Sequence, residues 1–461
     1  MATTRETGLV KGLGLIDSTT LVMGSMIGSG IFIVAADISR QVNSPGLMIM
    51  TWLVTAALTL TAALSYGELA AAMPLAGGQY VYLREAFGPM WGFLYGWTLL
   101  LVIQTGTIAA VAVAFAKYTG VFAPWVSAQN YLIGSGRIGL TTQELLAILV
   151  VVLLSWSNTR GIRTGAVVQN VFTFAKTAAL LGLVGFGFWL GRNPEAVQRN
   201  FAGFWQNSGW TFNTFRLVGV AMVGALFSSD AWNNVTFTAA EVRNPKRNLP
   251  LSLALGVGIV SLLYICCNLV YLNLLPLEAI QHAPEDRVAT AAAARILGPA
   301  AVQLMAAAIM ISAFGCNNGL ILAGARVSYA MAKDGLFFRK AAAVDPVHHT
   351  PRFALLVQCL WTILLILSGT YSDLLDYVIF VALLFYILTI TGLFVLRRTR
   401  PDLERPYKAF GYPVLPAAYI AVAGLIEILL LLYKPNYTWP GLIIVLLGLP
   451  VYFIWRRKAA L

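Results

Sequence analysis

The sequence predicts an all-α integral membrane protein with twelve transmembrane helices. Of its 461 residues, 59% are hydrophobic and only 11% are charged, whereas ordinary soluble domains carry about 25% charged residues. Apolar stretches long enough to cross a bilayer core, about 20 residues each, recur along the whole chain. Two of these stretches carry glycine or polar residues at mid-depth, which predicts two interrupted helices.

The predicted spans form two groups of five and a final pair. The first group occupies 15–190, the second 213–396 and the pair 413–455, while 1–14 and 456–461 are expected to be cytoplasmic. No cleavable signal is expected, because the polar start leads into the first apolar run without a small-x-small cleavage site. The individual spans are 15–39, 46–73, 91–117, 143–157, 164–190, 213–240, 249–275, 298–332, 353–369, 373–396, 413–433 and 439–455.

The net charge of +12 is explained by where the basic residues lie in the predicted topology. With the N-terminus inside, most Lys and Arg residues fall in segments predicted to be cytoplasmic, which is the positive-inside pattern. Much of this bias comes from "EVRNPKRN", "VLRRTRPDLERPYK" and the tail "WRRK". The sequence therefore predicts a multi-pass protein of the inner (plasma) membrane with both termini cytoplasmic. The lipid bilayer is its expected surrounding, and nucleic acid is not an expected partner.

Motifs for catalysis or metal binding are not found in the sequence. The four cysteines (Cys266, Cys267, Cys316 and Cys359) all fall within predicted spans, so neither a disulfide framework nor a metal site is expected. There is no H-E-x-x-H or G-x-S-x-G motif, and no cofactor is expected. An enzyme is therefore disfavoured, and a channel is disfavoured because one chain lacks a repeated filter sequence.

The first predicted span contains the run "LVMGSMIGSGIF", Leu21 to Phe32. Glycine in a helix interior costs about 1 kcal/mol relative to alanine, and non-helical backbone in a bilayer needs protein or water to satisfy it. Gly28, Ser29 and Gly30 therefore predict a break that faces a cavity. The alternative is close helix packing, because Gly24 and Gly28 also form a G-x-x-x-G pair.

The sixth span contains "GALFSSDAWNNVTF", Gly224 to Phe237. This motif favours a break in the first span over close helix packing. Asp230 lies near mid-depth, where a carboxylate costs about 2.5 to 3.5 kcal/mol and faces a cavity or a partner. Spans one and six begin the two groups of five, and interrupted helices at matching positions point to a transporter's midplane site. Five crossings separate their starts, so the two groups are predicted to be inverted repeats.

Two such breaks can hold a zwitterion. The half-helix that begins near Ser29 and Gly30 offers amides and a positive dipole end to an α-carboxylate. Carbonyls freed at both breaks can accept hydrogen bonds from an α-ammonium. The predicted substrate-binding residues are Met26, Ile27, Gly28, Ser29, Gly30, Phe227, Ser228, Ser229, Asp230, Ala231, Trp232 and Asn233.

Lys176 lies well inside the fifth span, between "FTFA" and "TAALLGL". A lysine at this depth cannot easily reach either membrane surface, so it is expected to face the protein interior beside a polar group. It is interpreted either as a fixed cation that braces helices or as a gating and coupling residue.

Five motifs, in this order, resemble the amino acid-polyamine-organocation (APC) superfamily, and more narrowly the L-type amino acid transporters (LAT family) and their bacterial homologues. They are "GSMIGSGIF", "PLAGGQYVYLREAFGP", "VQNVFTFAK", "LFSSDAWNNVTFTAAEVRNPKRNLP" and "RPYKAFGYPVLP". The resemblance implies the leucine-transporter fold, with a 5+5 inverted repeat and broken helices 1 and 6. It also implies sodium-independent exchange of amino acids by alternating access.

At several positions this sequence matches family residues, and the resemblance implies the same roles here. Ser29 and Gly30 match its carboxylate-binding break. Phe227 matches the aromatic residue that closes over bound substrate, and Lys176 matches a lysine that takes the place of a sodium ion.

The sequence departs from the eukaryotic pattern at two places. At the first place, this chain has Ser229-Asp230-Ala231-Trp232, where the pattern of the eukaryotic L-type transporters resembles aromatic-Gly-Gly-Trp. Asp230 is expected either to meet a cationic substrate or to be bound by nearby backbone or by Asn233. The loop over 118–142 contains no cysteine, so a disulfide-linked heavy chain is not expected.

The sequence therefore predicts a sodium-independent exchanger of neutral L-amino acids. The alternatives are a proton-coupled amino acid symporter and a transporter of cationic amino acids or polyamines.

Overall fold

The computed structural model describes residues 8–135, 138–191, 193–209, 211–369 and 371–459. The predicted cytoplasmic ends, 1–14 and 456–461, therefore lie partly outside the described residues. Among these residues, a two-stranded antiparallel hairpin, β1 (Tyr131–Ser135) and β2 (Ile138–Thr141), interrupts a largely helical structure. The α-helices of the described residues are α1 (Leu15–Met26), α2 (Gly30–Val42), α3 (Pro45–Ala72), α4 (Gln79–Phe87), α5 (Pro89–Thr98), α6 (Gln104–Thr119), α7 (Thr142–Thr159), α8 (Ile162–Trp189), α9 (Pro194–Ala202), α10 (Phe212–Ser228), α11 (Asn234–Phe237), α12 (Pro245–Leu274), α13 (Leu277–Gln281), α14 (Val288–Leu297), α15 (Ala300–Lys333), α16 (Arg352–Ser368), α17 (Tyr371–Thr399), α18 (Val414–Tyr433) and α19 (Pro435–Ala459).

Nine helices of the described residues are long and apolar enough to cross a membrane, and α1 with α2 forms a tenth, bent candidate. In one of the nine, a π-helical turn at Leu99–Ile103 joins α5 to α6. The chain is therefore a multi-pass membrane protein. The predicted ninth span, 353–369, coincides with α16, whereas α10 covers only the first part of the predicted sixth span, 213–240. Each of these helices has 17 residues. By length alone these two fall short of the about 20 residues that a span requires, so twelve spans stay a prediction.

Local sequence explains where several helices begin. Ser44 caps α3 through its side chain, and Pro45 occupies the first helical position, where its missing N–H costs nothing. Thr141 and Glu144 form a capping box at the start of α7, which satisfies two otherwise unpaired amides.

The two halves of the first span pack against different neighbours. α1 lies against α8, α12 and α15, whereas α2 lies mainly against α10. The break between them is therefore placed at the junction of these helices. Large apolar side chains on the outer helices, such as Phe174, Phe215 and Leu262, are exposed, as expected for surfaces that face lipid.

The end of the bundle at which the first span begins is here called the N-terminal face, and it is closed. Leu13 pairs with Val242 in a parallel bridge, and the N–H groups of Gly12 and Leu13 donate to the carbonyl of Glu241. The Glu241 carboxylate accepts from the Arg326 guanidinium at 2.7 and 3.0 Å. Both side chains are almost fully buried, at 0% and 1% exposure.

Candidate substrate-binding site

The first span is interrupted at the predicted glycines. α1 ends at Met26, α2 begins at Gly30, and the two are bent by 44°. The N–H of Gly28 donates back to the carbonyl of Met26. Within the described ranges, the amides of Ser29, Gly30 and Ile31 have no hydrogen-bond partner. These amides and the positive end of the α2 dipole form a place for an anion.

The carbonyl groups on the α1 side of the break are held by Lys176 and Ser312. Lys176 Nζ donates to the carbonyl oxygens of Gly24 and Ile27, both at 2.6 Å, and lies 3.4 Å from that of Ser312. Ser312 Oγ lies 3.0 Å from the carbonyl oxygens of Ile27 and Gly28. Lys176 is 1% exposed, so it faces the interior among polar groups. A buried ammonium thus neutralises the negative end of α1.

A tyrosine from α12 joins the two breaks. The Tyr264 hydroxyl lies 3.1 Å from the carbonyl oxygens of both Met26 and Ser228, and because it has one proton it donates to one of them at a time. Its ring packs edge-on against Trp52. The predicted acceptors for an α-ammonium, Met26 and Ile27, therefore already have protein donors in this conformation.

The sixth predicted span unwinds after Ser228. α10 ends there, the chain continues without regular helix, and helical structure resumes at Asn234. Ala231 adopts the left-handed conformation, with φ of 62°, which is uncommon for a residue other than glycine. The two breaks touch, because a Cβ atom added to Gly30 would lie 3.2 Å from Ser228 Cα and closer still to its hydroxyl. Glycine at position 30 thus allows this approach.

Asp230 sits between two small cavities of about 20 Å³ each. Its carboxylate accepts from the Tyr386 hydroxyl at 2.5 Å. Asn233 donates to Gln79 Oε1 at 2.7 Å and lies 3.5 Å from the Tyr386 hydroxyl. The arrangement leaves a carboxylate beside space for a small group.

Aromatic rings form one wall beside Asp230. Trp232 is 2% exposed and packs against Tyr66 and Tyr386, with ring centroids 4.8 and 5.2 Å apart. The cavity on this side also contacts Ser229. Bulky rings limit the side chains that could be held here.

Phe227 lies on the other side of the break, where it lines a larger open cavity of about 400 Å³, here called the vestibule. The vestibule is bounded by α2, α10 and the residues near Phe380 and Lys434. It also contacts Asp37, near the far end of α2, so it opens away from the N-terminal face. Phe227 therefore stands between open space and the contacting breaks.

Sequence reasoning missed three residues of this site. Tyr264, Ser312 and Tyr386 reach the breaks from α12, α15 and α17. Tyrosine and serine are common in membrane helices, so no local signal distinguished these three from others. The helices of the predicted breaks do lie together, as the contact of Gly30 with Ser228 demonstrates.

Comparison with known proteins gives one consistent result. A family model described as amino acid permease matches residues 13–452. The chain is 30% identical to the "large neutral amino acids transporter small subunit 2" of Homo sapiens, over 98% of this chain and 82% of that protein. It is 30% identical to the "b(0,+)-type amino acid transporter 1" of Mus musculus, over 98% and 89%. It is also 30% identical to the "serine/threonine exchanger SteT" of Bacillus subtilis, over 99% of both chains.

These matches confirm the family that the five sequence motifs resemble. They run from the closed N-terminal face through both breaks to α19. The family and these relatives are transporters rather than enzymes. The chain belongs to the amino acid permease family of the APC superfamily.

Proposed function

We propose that this protein exchanges neutral L-amino acids across the plasma membrane by alternating access, without sodium and without a disulfide-linked heavy chain. The twelve-helix leucine-transporter fold, with α10 continuing beyond its break as the sixth span, is part of this proposal. So is the placement of both termini in the cytoplasm. The relatives named above support amino acids as the substrate class.

The observation that carries the proposal is the pair of breaks in contact. An α-carboxylate would bind the amides of Ser29, Gly30 and Ile31 at the start of α2, for which the described part of the chain supplies no hydrogen-bond partner. An α-ammonium would bind the carbonyls of Met26 and Ser228, to which Tyr264 is adjacent. Carbonyl oxygens have two lone pairs, so tyrosine and substrate can share them. Such a site recognises the backbone that all α-amino acids have in common.

The position of Lys176 supports sodium independence. Its ammonium has three carbonyl oxygens within 3.4 Å, an oxygen-lined position of the kind that a bound cation would occupy. Because the cation is covalently attached and buried, the break is neutralised without an ion from solution. A sodium ion would have to displace it against direct charge repulsion.

The asymmetry of the two ends supports alternating access. The N-terminal face is closed by the Leu13–Val242 bridge and the buried Glu241–Arg326 pair. The vestibule lies at the other end, with Phe227 next to the break. In the exchange cycle, bound substrate would be covered by Phe227 before the N-terminal face opens.

The proposal is tested with purified protein in liposomes and sodium-free buffer. Labelled alanine is offered to vesicles that are empty or loaded with unlabelled alanine. We expect saturable uptake into loaded vesicles and little into empty ones. Uptake into empty vesicles that follows an imposed proton gradient would contradict exchange and would establish the symport alternative.

A second candidate is transport of cationic amino acids or polyamines. It is favoured by Asp230, because no Lys, Arg or His nitrogen lies within 4 Å of its carboxylate in the described parts of the chain. Counterflow of labelled lysine and of labelled putrescine, compared with alanine, tests it. Putrescine lacks a carboxylate, so its transport would also contradict the role given to the amides of α2.

A further inference from the structure

We propose that a groove between α3, α10 and α18, on the lipid-facing side of the bundle, binds one phospholipid with an anionic headgroup. The groove extends from Trp205 and Arg216 at one end to Val54 and Met222 at the other, and it is here called the lipid groove. Arg216 pairs with the lipid phosphate, and an acyl chain fills the apolar part. This assignment is independent of the solute that the two breaks bind.

The lipid groove has the length of one leaflet. On α10 it is lined from Phe212 to Met222, which is about 15 Å at the helical rise of 1.5 Å per residue. Half of a hydrocarbon core of about 30 Å has the same length. The volume of the groove is about 750 Å³, within the range of about 300–1,000 Å³ of sites that hold small organic molecules. Leu425 of its wall is exposed, so the groove is open to lipid.

Polar side chains lie at one end of the lipid groove. Ser208, Thr214 and Arg216 line it just before and within the first two turns of α10, whereas its lining residues on α3 and α18 are all apolar. Trp205 lies at the polar end, where a Cβ atom added to Gly46 would be 2.7 Å from its ring. Tryptophan is enriched where headgroups meet the hydrocarbon core. The polar end is therefore at the depth of a headgroup.

Arg216 supplies a cation at this polar end. Its Nη2 donates to Asn213 Oδ1 at 2.7 Å, and its guanidinium lies 4.9 Å from the ring centroid of Tyr433, at the end of α18. Among the residues that the structure describes, no carboxylate oxygen lies within 4 Å of this guanidinium. Arginine has five N–H donors in a planar fork that matches a phosphate group. The charge and the geometry therefore complement a phosphate.

The headgroup, rather than the chain, decides which lipid is preferred. Lipid tails are as apolar as the groove, so burying one tail in place of another has no hydrophobic driving force. An arginine near the membrane surface favours an anionic lipid by about fivefold. In phosphatidylethanolamine the ammonium of the headgroup competes with Arg216 for the phosphate. Phosphatidylglycerol, which has no such cation, is the expected occupant.

The lipid groove lies behind the vestibule. Val218 and Met222 of α10 line the groove, whereas Val220, Val223 and Phe227 of the same helix line the vestibule. A lipid in the groove thus packs against the helix that carries Phe227.

Native mass spectrometry of the purified full-length protein tests the preference. Phosphatidylglycerol and phosphatidylethanolamine with the same acyl chains are titrated separately. For the wild-type protein we expect one bound phosphatidylglycerol, with a Kd about fivefold below that of phosphatidylethanolamine. In Arg216→Gln this ratio should fall to about one. Arg199→Gln, which changes an exposed arginine of α9, is the matched control and should keep the ratio.

A second pair of variants tests the position of the chain. Leu425 lines the lipid groove and is 54% exposed, so Leu425→Trp fills the groove from its open side and should lose the bound lipid. Leu432 is 66% exposed on the same helix and lies outside the groove. Leu432→Trp should therefore bind phosphatidylglycerol as wild type does. Melting temperatures without added lipid verify that all variants are folded.

The inference is overturned if the two lipids bind wild-type protein equally, or if the preference survives in Arg216→Gln. It is equally overturned if folded Leu425→Trp binds phosphatidylglycerol as tightly as wild type. A dimer in detergent that Leu425→Trp dissociates would also overturn it, because a second copy of the chain would then cover the groove.

Discussion

The ammonium group of Lys176 lies 2.6 Å from the carbonyl oxygens of both Gly24 and Ile27, at the end of α1. The last carbonyls of a helix have no intrahelical partner and carry a partial negative charge. At the start of α2 the opposite situation holds, because the amides of Ser29 and Gly30 have no hydrogen-bond partner among the residues that the structure describes. The protein thus satisfies the negative end of the break with its own cation and leaves the positive end for a ligand.

Replacing Lys176 by methionine should impair exchange strongly. The substitution keeps much of the side-chain volume but leaves the buried Gly24 carbonyl without this donor, at about 1–3 kcal/mol. The Ile27 carbonyl keeps only the Ser312 hydroxyl as a donor. We expect the initial rate of alanine counterflow to fall tenfold or more and the melting temperature to fall. Lys117→Met, which changes an exposed lysine of α6, is the matched control. Wild-type exchange by folded Lys176→Met would contradict a role for the ammonium.

Gly30→Ala should separate the two breaks. The added methyl group would meet Ser228, including its Cα at 3.2 Å, and overpacking of this kind costs about 1–3 kcal/mol. We expect a lower melting temperature and loss of exchange. Gly258→Ala on α12, where nothing lies within 4 Å of the new methyl group, should not lower the melting temperature. Equal melting temperatures for the two variants would show that the contact is not tight.

Phe227→Ala should remove the ring between the vestibule and the break. If this ring covers bound substrate, the occluded state is weakened and the rate of exchange should fall severalfold in protein that remains folded. Phe215→Ala on the same helix, where the ring is 57% exposed, is the control. The gating role is refuted if counterflow by Phe227→Ala equals that of wild type.

The buried pair Glu241–Arg326 should behave as a unit. Both side chains are nearly inaccessible, and removal of one member of a buried ion pair costs about 3–5 kcal/mol because the other charge is left unpaired. Glu241→Gln and Arg326→Met should therefore each lower the melting temperature. The double variant should recover part of the loss, which a double-mutant cycle measures. Strictly additive losses would indicate that the two charges do not interact.

Membrane insertion was predictable because it depends on local composition. Long apolar helices such as α3 and α12 fall within a few residues of the predicted spans 46–73 and 249–275. Length was less decisive for the sixth span, because α10 ends at Ser228 whereas the predicted span runs to 240. The ninth predicted span, 353–369, matches α16 to within one residue at each end. The sequence pattern of a span does not fix where a helix stops when neighbouring helices can supply hydrogen bonds to its ends.

By itself, the sequence determined that the chain is a membrane protein, that its backbone is weakened near Gly28 and Ser228, and that Lys176 faces the interior; the family came from the resemblance of five motifs. These features follow from local chemistry: transfer of apolar side chains into lipid, the cost of glycine in a helix, and the cost of burying a charge. Only the tertiary structure decided which side chains form hydrogen bonds with the groups at the breaks. Tyr264 lies 238 residues from Met26, and Tyr386 lies 156 residues from Asp230. Hydrogen bonds require contact within about 3 Å, and which distant residues come that close is set by the packing of whole helices.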